Sequence, residues 1–281
     1  MIVGAYQFKV TGNIGHNLKI IKDAIRSAAK EKVKLLVFPE CALTGYPPRD
    51  IDSSSDIDFD KLDIAYGELQ EISTEYEIGI VVGTITKDEE KYYNSALVFL
   101  PNGHRKLYHK RALWGWDRDN FIVGNENGVF EFLGMKIGIR ICFEIRFPEY
   151  FRELYKEQTD LNIVLFYDVS DKDDKERYDL IRGHIRTRAV ENVCNTLTVN
   201  TIYPYQTAPT ALYDKSGKEL CYLERNIEGL LVYSYDNLEN REMDFGERGR
   251  REISNLLVDE TKWNWDRLWI VIVIKYRNIY K

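Results

Sequence analysis

Two residues of this chain combine a reactive side chain with a position just past a short apolar run. Val37-Phe-Pro-Glu40 places a carboxylate at the end of one run, and Ile139-Arg-Ile-Cys142 places a thiol at the end of another. In parallel α/β sheets, side chains at strand ends converge on ligands, and a carboxylate beside a thiol is a minimal set for nucleophilic chemistry. One group takes a proton while the other attacks. On the residues alone, a turn-capping Glu40 and an inert buried Cys142 remain open as alternatives. Metal and nucleotide chemistry has less support. His16, His104, His109 and His184 share no ligand spacing with one another or with cysteine, and no Walker A or Gly-x-Gly-x-x-Gly segment occurs. His109, beside Lys110, reads as structural or pocket-lining. The expected site therefore uses side chains alone, with no metal and no cofactor.

The elements that must position these residues alternate along the chain. The runs 33–38, 78–83, 136–141 and 161–166 are short, β-branched and bounded by Pro, Gly or charge, which predicts buried strands. Leu18, Ile21, Ile25 and Ala28 recur at helical spacing, as do Leu62, Leu69, Ile72 and Tyr76, and Pro148 suits a first helical turn. The pattern predicts an α/β fold with strands covered on both faces. The helix, strand and hairpin from about 76 to 103 are echoed faintly by those from about 191 to 217, as two facing halves would require. No Pro/Ser-rich linker divides the chain. The tail from Asp236 to Lys281 differs, being charge-rich and then carrying Trp263, Trp265 and Trp269 before the apolar run 268–274. Such a tail is expected to pack on the domain or on a partner subunit.

Composition narrows the partners. The 281 residues are 44% hydrophobic and 30% charged, with 39 Lys+Arg against 45 Asp+Glu and a net charge of −6, so no uncompensated basic surface for nucleic acid is expected. The longest wholly apolar run is far short of the ~20 residues of a membrane span, and the first residues read as a strand, so neither a membrane nor an export signal is expected. Four cysteines without a Cys-x-x-Cys pair make no disulfide scaffold, which predicts a cytoplasmic protein. High charge with many Ile and Tyr and few Gln is compatible with a heat-adapted source.

The wider wording carries a resemblance. Phe38-Pro-Glu-Cys-Ala-Leu-Thr-Gly-Tyr-Pro47, Tyr108-His-Lys110 and Gly138-Ile-Arg-Ile-Cys-Phe-Glu-Ile-Arg-Phe-Pro-Glu149 occur in this order at wide intervals. Together they resemble the three signature blocks of the nitrilase superfamily of carbon–nitrogen hydrolases, which carry Glu, Lys and Cys. Arg186-Thr-Arg-Ala-Val-Glu-Asn192, Val199-Asn200 and Ser216-Gly217 look like that family's later helix, strand and hairpin. The resemblance spans residues 1–235 as a hydrolase domain. It implies a four-layer α-β-β-α sandwich, assembled as a homodimer or higher homo-oligomer through outer helices.

It also implies roles. Cys142 would attack the substrate carbon, Glu40 would shuttle the proton, and Lys110 with the backbone N–H of Phe143 would hold the oxyanion. Reference pKa values of ~4.3 and ~8.5 make a carboxylate a poor base for a thiol, so burial is expected to raise Glu40 and Lys110 to lower Cys142. The family's second glutamate falls on Asp117, whose shorter reach requires an inward backbone or a bridging water; a solvated loop aspartate is the plain alternative. Tyr46 is expected at the pocket rim. Tyr167 with Asp168 replaces a common pocket-wall sequence, either admitting a polar or cationic substrate or merely packing. Arg140 shares strand parity with Cys142 and is structural if paired with an acid. Glu144 and Arg146 are expected to pin the nucleophile's loop. Cys41, Cys194 and Cys221 are expected to be buried spectators, and Arg182, Arg186 and Arg188 to form a salt-bridged helix. The implied activity is cleavage of a small linear amide through a cysteine thioester, releasing ammonia or an amine. Nitrile hydrolysis, N-acyl transfer, or an interaction protein that has lost turnover are the alternatives.

Overall fold

The computed structural model describes residues 1–235. The tail expected to pack on the domain or a partner, with its three tryptophans, lies outside the described residues. The first sheet contains β1 (Ile2–Gln7), β2 (Leu35–Val37), β3 (Gly79–Asp88), β4 (Lys91–Phe99) and β5 (Arg105–His109). The second contains β6 (Val129–Phe132), β7 (Met135–Ile141) and β8 (Leu161–Phe166). A small ribbon joins β9 (Val169–Ser170) to β11 (Tyr205–Gln206). Between and after these, β10 (Asn195–Asn200), β12 (Ala211–Tyr213) and β13 (Glu219–Tyr222) complete the second sheet, and β14 (Gly229–Ser234) returns to the edge of the first beside β1.

The faint echo between the halves is a shared topology. In the first sheet β1, β2 and β3 are parallel neighbours, followed by antiparallel β4 and β5. In the second β7, β8 and β10 are parallel neighbours, followed by antiparallel β12 and β13. Each parallel crossover carries a helix or a helical segment. In the first half these are α1 (Ile14–Lys30) and α2 (Phe59–Tyr76); after the short α3 (Asp117–Asn120), α4 (Pro148–Lys156) and α5 (Lys175–Glu191) follow in the second.

Period-two alternation divides the strand side chains between layers. Leu35, Val37 and Val81 meet Ile139, Ile141, Ile163 and Leu165 between the sheets. Leu36, Phe38, Ile80 and Val82 face Leu18, Ile21, Ile25, Leu62 and Leu69 of α1 and α2, while Val164 and Phe166 face Phe151, Leu154, Ile181 and Ile185 of α4 and α5. These three apolar layers make the expected α-β-β-α sandwich. Local signals start its helices: Asn13, Asp58 and Asp174 cap α1, α2 and α5 by accepting a backbone N–H, and Pro148 opens α4. The strand expected over 33–38 is shorter, Leu35–Val37, because Pro39 lacks an N–H and restricts Phe38 before it. That early stop frees the chain to turn at Glu40.

Candidate active site

Strand ends supply the site. Glu40 follows β2, Lys110 follows β5, Cys142 follows β7 and Tyr167 follows β8. The Glu40 turn lies so close to β3 that a Cβ on Gly83 would sit 2.2 Å from the Pro39 oxygen and 2.5 Å from the Glu40 Cα. Only glycine permits this approach. Within the turn, Cys41 takes φ 51°, and the Glu40 N–H donates to the Phe166 carbonyl of the other sheet at 3.2 Å.

The Glu40 side chain is buried with donors on both oxygens. Oε1 accepts from Lys110 Nζ at 2.7 Å and from Asn94 Nδ2 at 2.7 Å, while Oε2 accepts from the Tyr167 N–H at 2.8 Å. Lys110 also donates to Asp117 Oδ2 at 2.7 Å. Asp117 in turn accepts from Tyr46 Oη at 2.7 Å and from the Trp114 N–H at 2.9 Å. Asp117 is thus no solvated loop residue: it is 1% exposed and meets Lys110 directly, with no bridging water needed. An ammonium has three N–H groups. Two of those on Lys110 hold carboxylates, and Lys110 is among the residues that line the cleft.

Cys142 begins a short 3-10 turn, Cys142–Arg146, with φ 45°. A non-glycine residue held in this left-handed backbone region is strained by roughly 1–3 kcal/mol. The thiol enters a cleft of about 880 Å³ that is also lined by Lys110, Phe143, Tyr167, Trp114, Trp116 and Tyr46, the last buried and not at the expected rim. Tyr46 and Tyr167 stack at 4.9 Å, and Trp114 tilts onto Phe143 at 5.1 Å.

Burial dominates the electrostatics. It raises the Glu40 carboxyl above the ordinary range, although Lys110 and Asn94 pull it back. Lys110 is held well above its usual range: burial opposes its charge, but Glu40 and Asp117 outweigh burial. The expectation for the thiol is overturned. Burial and the charge of Glu40 push Cys142 well above 9.0, and the opposing pull of Lys110 does not offset them. A thiol shifted in this direction favours its protonated form.

Other expectations resolve by pairing. Arg140 is structural: it donates to the Tyr150, Asn127 and Ile139 carbonyls and pairs with Glu153 at 3.3 Å. Asp168 is held by Arg177 through bonds of 2.9 and 3.1 Å and by the Thr207 hydroxyl, so this acid is not open to a cationic substrate. His109 stacks on Tyr93 at 4.2 Å and bonds Ser95, a structural role. Arg182 pairs with Glu219, Arg186 reaches the Gly217 carbonyl and Arg188 pairs with Glu191. Cys41 and Cys194 are buried, but Cys221 is half-buried on β13, with burial pushing its thiol up to about 11. Two contributors were missed. Asn94 is a single amide in an aromatic and aliphatic strand, which was the available signal. Arg188 donates to the Ile145 and Arg146 carbonyls at 3.0 Å each, bracing the Cys142–Arg146 turn from α5, a contact no local pattern announces.

Known proteins are similar to this chain in sequence and in fold. The glutamine-dependent NAD(+) synthetase of Acinetobacter baylyi is 26% identical over 197 residues, 68% of this chain and 34% of that protein, so the chain spans about a third of the length of this relative. The 2-oxoglutaramate amidase of Bacillus subtilis is 29% identical over 203 residues, 70% of this chain and 75% of that one. An amidase from Nesterenkonia sp. has the same fold, with a TM-score of 0.75 at 22% identity over 92% of this chain and 96% of the other. The carbon-nitrogen hydrolase family model matches residues 2–239, and the chain belongs to that family.

Proposed function

We propose that this chain hydrolyses the C–N bond of a small linear amide through a thioester on Cys142, releasing ammonia or an amine. The observation that carries this reading is a lysine tied to two buried carboxylates that opens onto the same cleft as the thiol. The high thiol pKa makes proton transfer part of the attack. As Sγ bonds to the carbonyl carbon, its proton passes to Glu40, and the oxyanion is met by Lys110 Nζ and the Phe143 N–H. One such donor is worth ~2.7–4 kcal/mol of barrier. Glu40 then protonates the leaving nitrogen and the C–N bond breaks. Water enters, gives a proton to Glu40 and attacks the thioester; the departing sulfur recovers that proton. Asp117 and Tyr46 orient Lys110, and Tyr167 forms the cleft wall and anchors Glu40 by its N–H. In a solved amidase of the same fold, 23% identical, a glutamate-to-leucine mutant carries the acetamide moiety of fluoroacetamide on its active-site cysteine, which supports a reactive cysteine here.

Intact mass measurements on a panel of simple amides test this reading. An acyl adduct absent from Cys142→Ala, together with ammonia release, is expected. An adduct discharged only by added amine would favour acyl transfer, activity on nitriles alone would favour a nitrilase, and no adduct with an iodoacetamide-inert Cys142 would favour an interaction protein.

The finer setting is part of the same proposal. Residues 1–235 serve as the catalytic domain. Free thiols at Cys41, Cys142, Cys194 and Cys221 suit the reducing cytoplasm, and among the described residues no helix is long and apolar enough to cross a membrane. On α5, Leu180 and Val190 are exposed, which supports homo-oligomer assembly through the outer helices and is checked by light scattering. A melting midpoint in the ordinary mesophile range would refute heat adaptation.

A further inference from the structure

We infer that Glu144 is a positioning residue that sets the distance between the nucleophile and the oxyanion lysine by tying the two sheets together behind the cleft. Glu144 is completely buried. Its Oε1 accepts from the Arg111 N–H at 2.7 Å, the residue immediately after Lys110, and from Tyr108 Oη at 2.7 Å, two residues before it. Its Oε2 accepts from the Ile141 N–H at 2.6 Å, the residue immediately before Cys142. One carboxylate thus clasps the backbone on the far side of Lys110 and the near side of Cys142. These two segments belong to different sheets, and face-to-face apolar packing alone is non-directional.

The clasp also acts on the strained turn. Glu144 is the third residue of the turn that Cys142 opens, and its bond to Ile141 closes the turn onto its own entry while Arg188 holds its exit. Three donors converge on Glu144, so an acceptor on both oxygens is required. Glutamine has the same shape but would present an NH₂ to either Ile141 or the Arg111–Tyr108 pair. One clasp arm opens whichever way the amide is turned.

This inference rests on the amidase reading for its effect on turnover, but not for its effect on the thiol. Glu144→Gln is expected to lower kcat about 30-fold with KM within about threefold, because reacting groups displaced by ~1 Å can lose ~100-fold in rate. Alkylation of Cys142 by iodoacetamide, which needs no substrate, should slow about tenfold and its pH midpoint should rise by about half a unit as Lys110 recedes. A role confined to folding would lower the melting temperature and leave both readouts unchanged per folded molecule. Should Glu144→Gln fail to fold, Tyr108→Phe removes one arm and keeps both backbone bonds; a roughly threefold fall in alkylation rate is expected. Folded Glu144→Gln, or in its place Tyr108→Phe, with alkylation and its pH profile unchanged would overturn the proposal. A wild-type protein that alkylates normally yet turns over no amide would remove the amidase reading, and the alkylation comparison would still decide the role of Glu144.

Discussion

On the first sheet, Glu40, Lys110 and Asp117 are each 1% exposed and every carboxylate oxygen has a donor. On the second, Cys142 is only partly buried, has a thiol that favours its protonated form and sits in a left-handed turn. The charged half cannot lose Lys110 without leaving two buried carboxylates that have no counter-charge. The thiol half can lose its sulfur and leave every hydrogen bond of the cage in place. Stability and reactivity are therefore expected to separate by sheet, with Glu144 as the connection between them.

The largest expected effect tests the reactive side. Cys142→Ala should abolish both turnover and acyl-adduct formation while the melting temperature stays within a few degrees, since a small part-exposed side chain is lost. A collapse of stability would break the division. Lys110→Met should differ in kind. It keeps the stem and removes the ammonium, leaving Glu40 and Asp117 as buried acids without a counter-charge. Breaking such a pair costs ~3–5 kcal/mol, and kcat should fall ~10²–10³-fold from loss of the oxyanion donor. Urea unfolding and steady-state kinetics on the same preparation read both. A stable Lys110→Met protein would show that the cage contributes orientation and not stability.

Gly83→Ala is expected to rank third. Its Cβ would collide with the Pro39 carbonyl and the Glu40 Cα, both backbone atoms, so the Glu40 turn must shift. Overpacking of this kind costs ~1–3 kcal/mol, and a displaced base should lower kcat by about tenfold or more while alkylation of Cys142 persists. Normal turnover would mean that the turn tolerates movement.

How much of this was legible in the sequence follows from which forces are local. Buried strands, capped helices and the Glu40 and Cys142 strand ends write themselves into short windows as apolar alternation, Asn and Asp caps, and Pro39. The motif order made Lys110 and Asp117 visible through resemblance. The clasp at Glu144, the brace at Arg188 and the bond from Asn94 join residues 33 to 54 positions apart, and no window contains both ends. The sign of the thiol shift was missed for a related reason. Lys110 is visible as a nearby charge, but the burial that outweighs it is a property of the assembled sandwich.

The smallest expected effect concerns protons and applies to both sheets at once. Burial raises the folded Glu40 carboxyl above its ordinary value of 4.5, so between 4.5 and the raised value the folded state keeps a proton that the unfolded chain has released. With more protons bound to the folded form, this group's contribution to stability is greatest below 4.5 and declines as pH rises through the folded pKa, by at most ~1.4 kcal/mol per unit of pH. Glu40→Gln has no such proton. The stability difference between the two proteins should therefore move in favour of the glutamine variant as pH rises across this window and then stop changing. Activity must move oppositely, because the base works only when deprotonated: kcat/KM should climb through the same raised pKa. On the other sheet the Cys142 thiol titrates well above 9.0, so the alkaline limb lies beyond the ordinary thiol range. Urea unfolding from pH 4 to 8 and a pH–rate profile check the two limbs separately. An acid limb at or below 4.5 would mean that Lys110 and Asn94 outweigh burial at Glu40, and the cage would then favour the charged base outright.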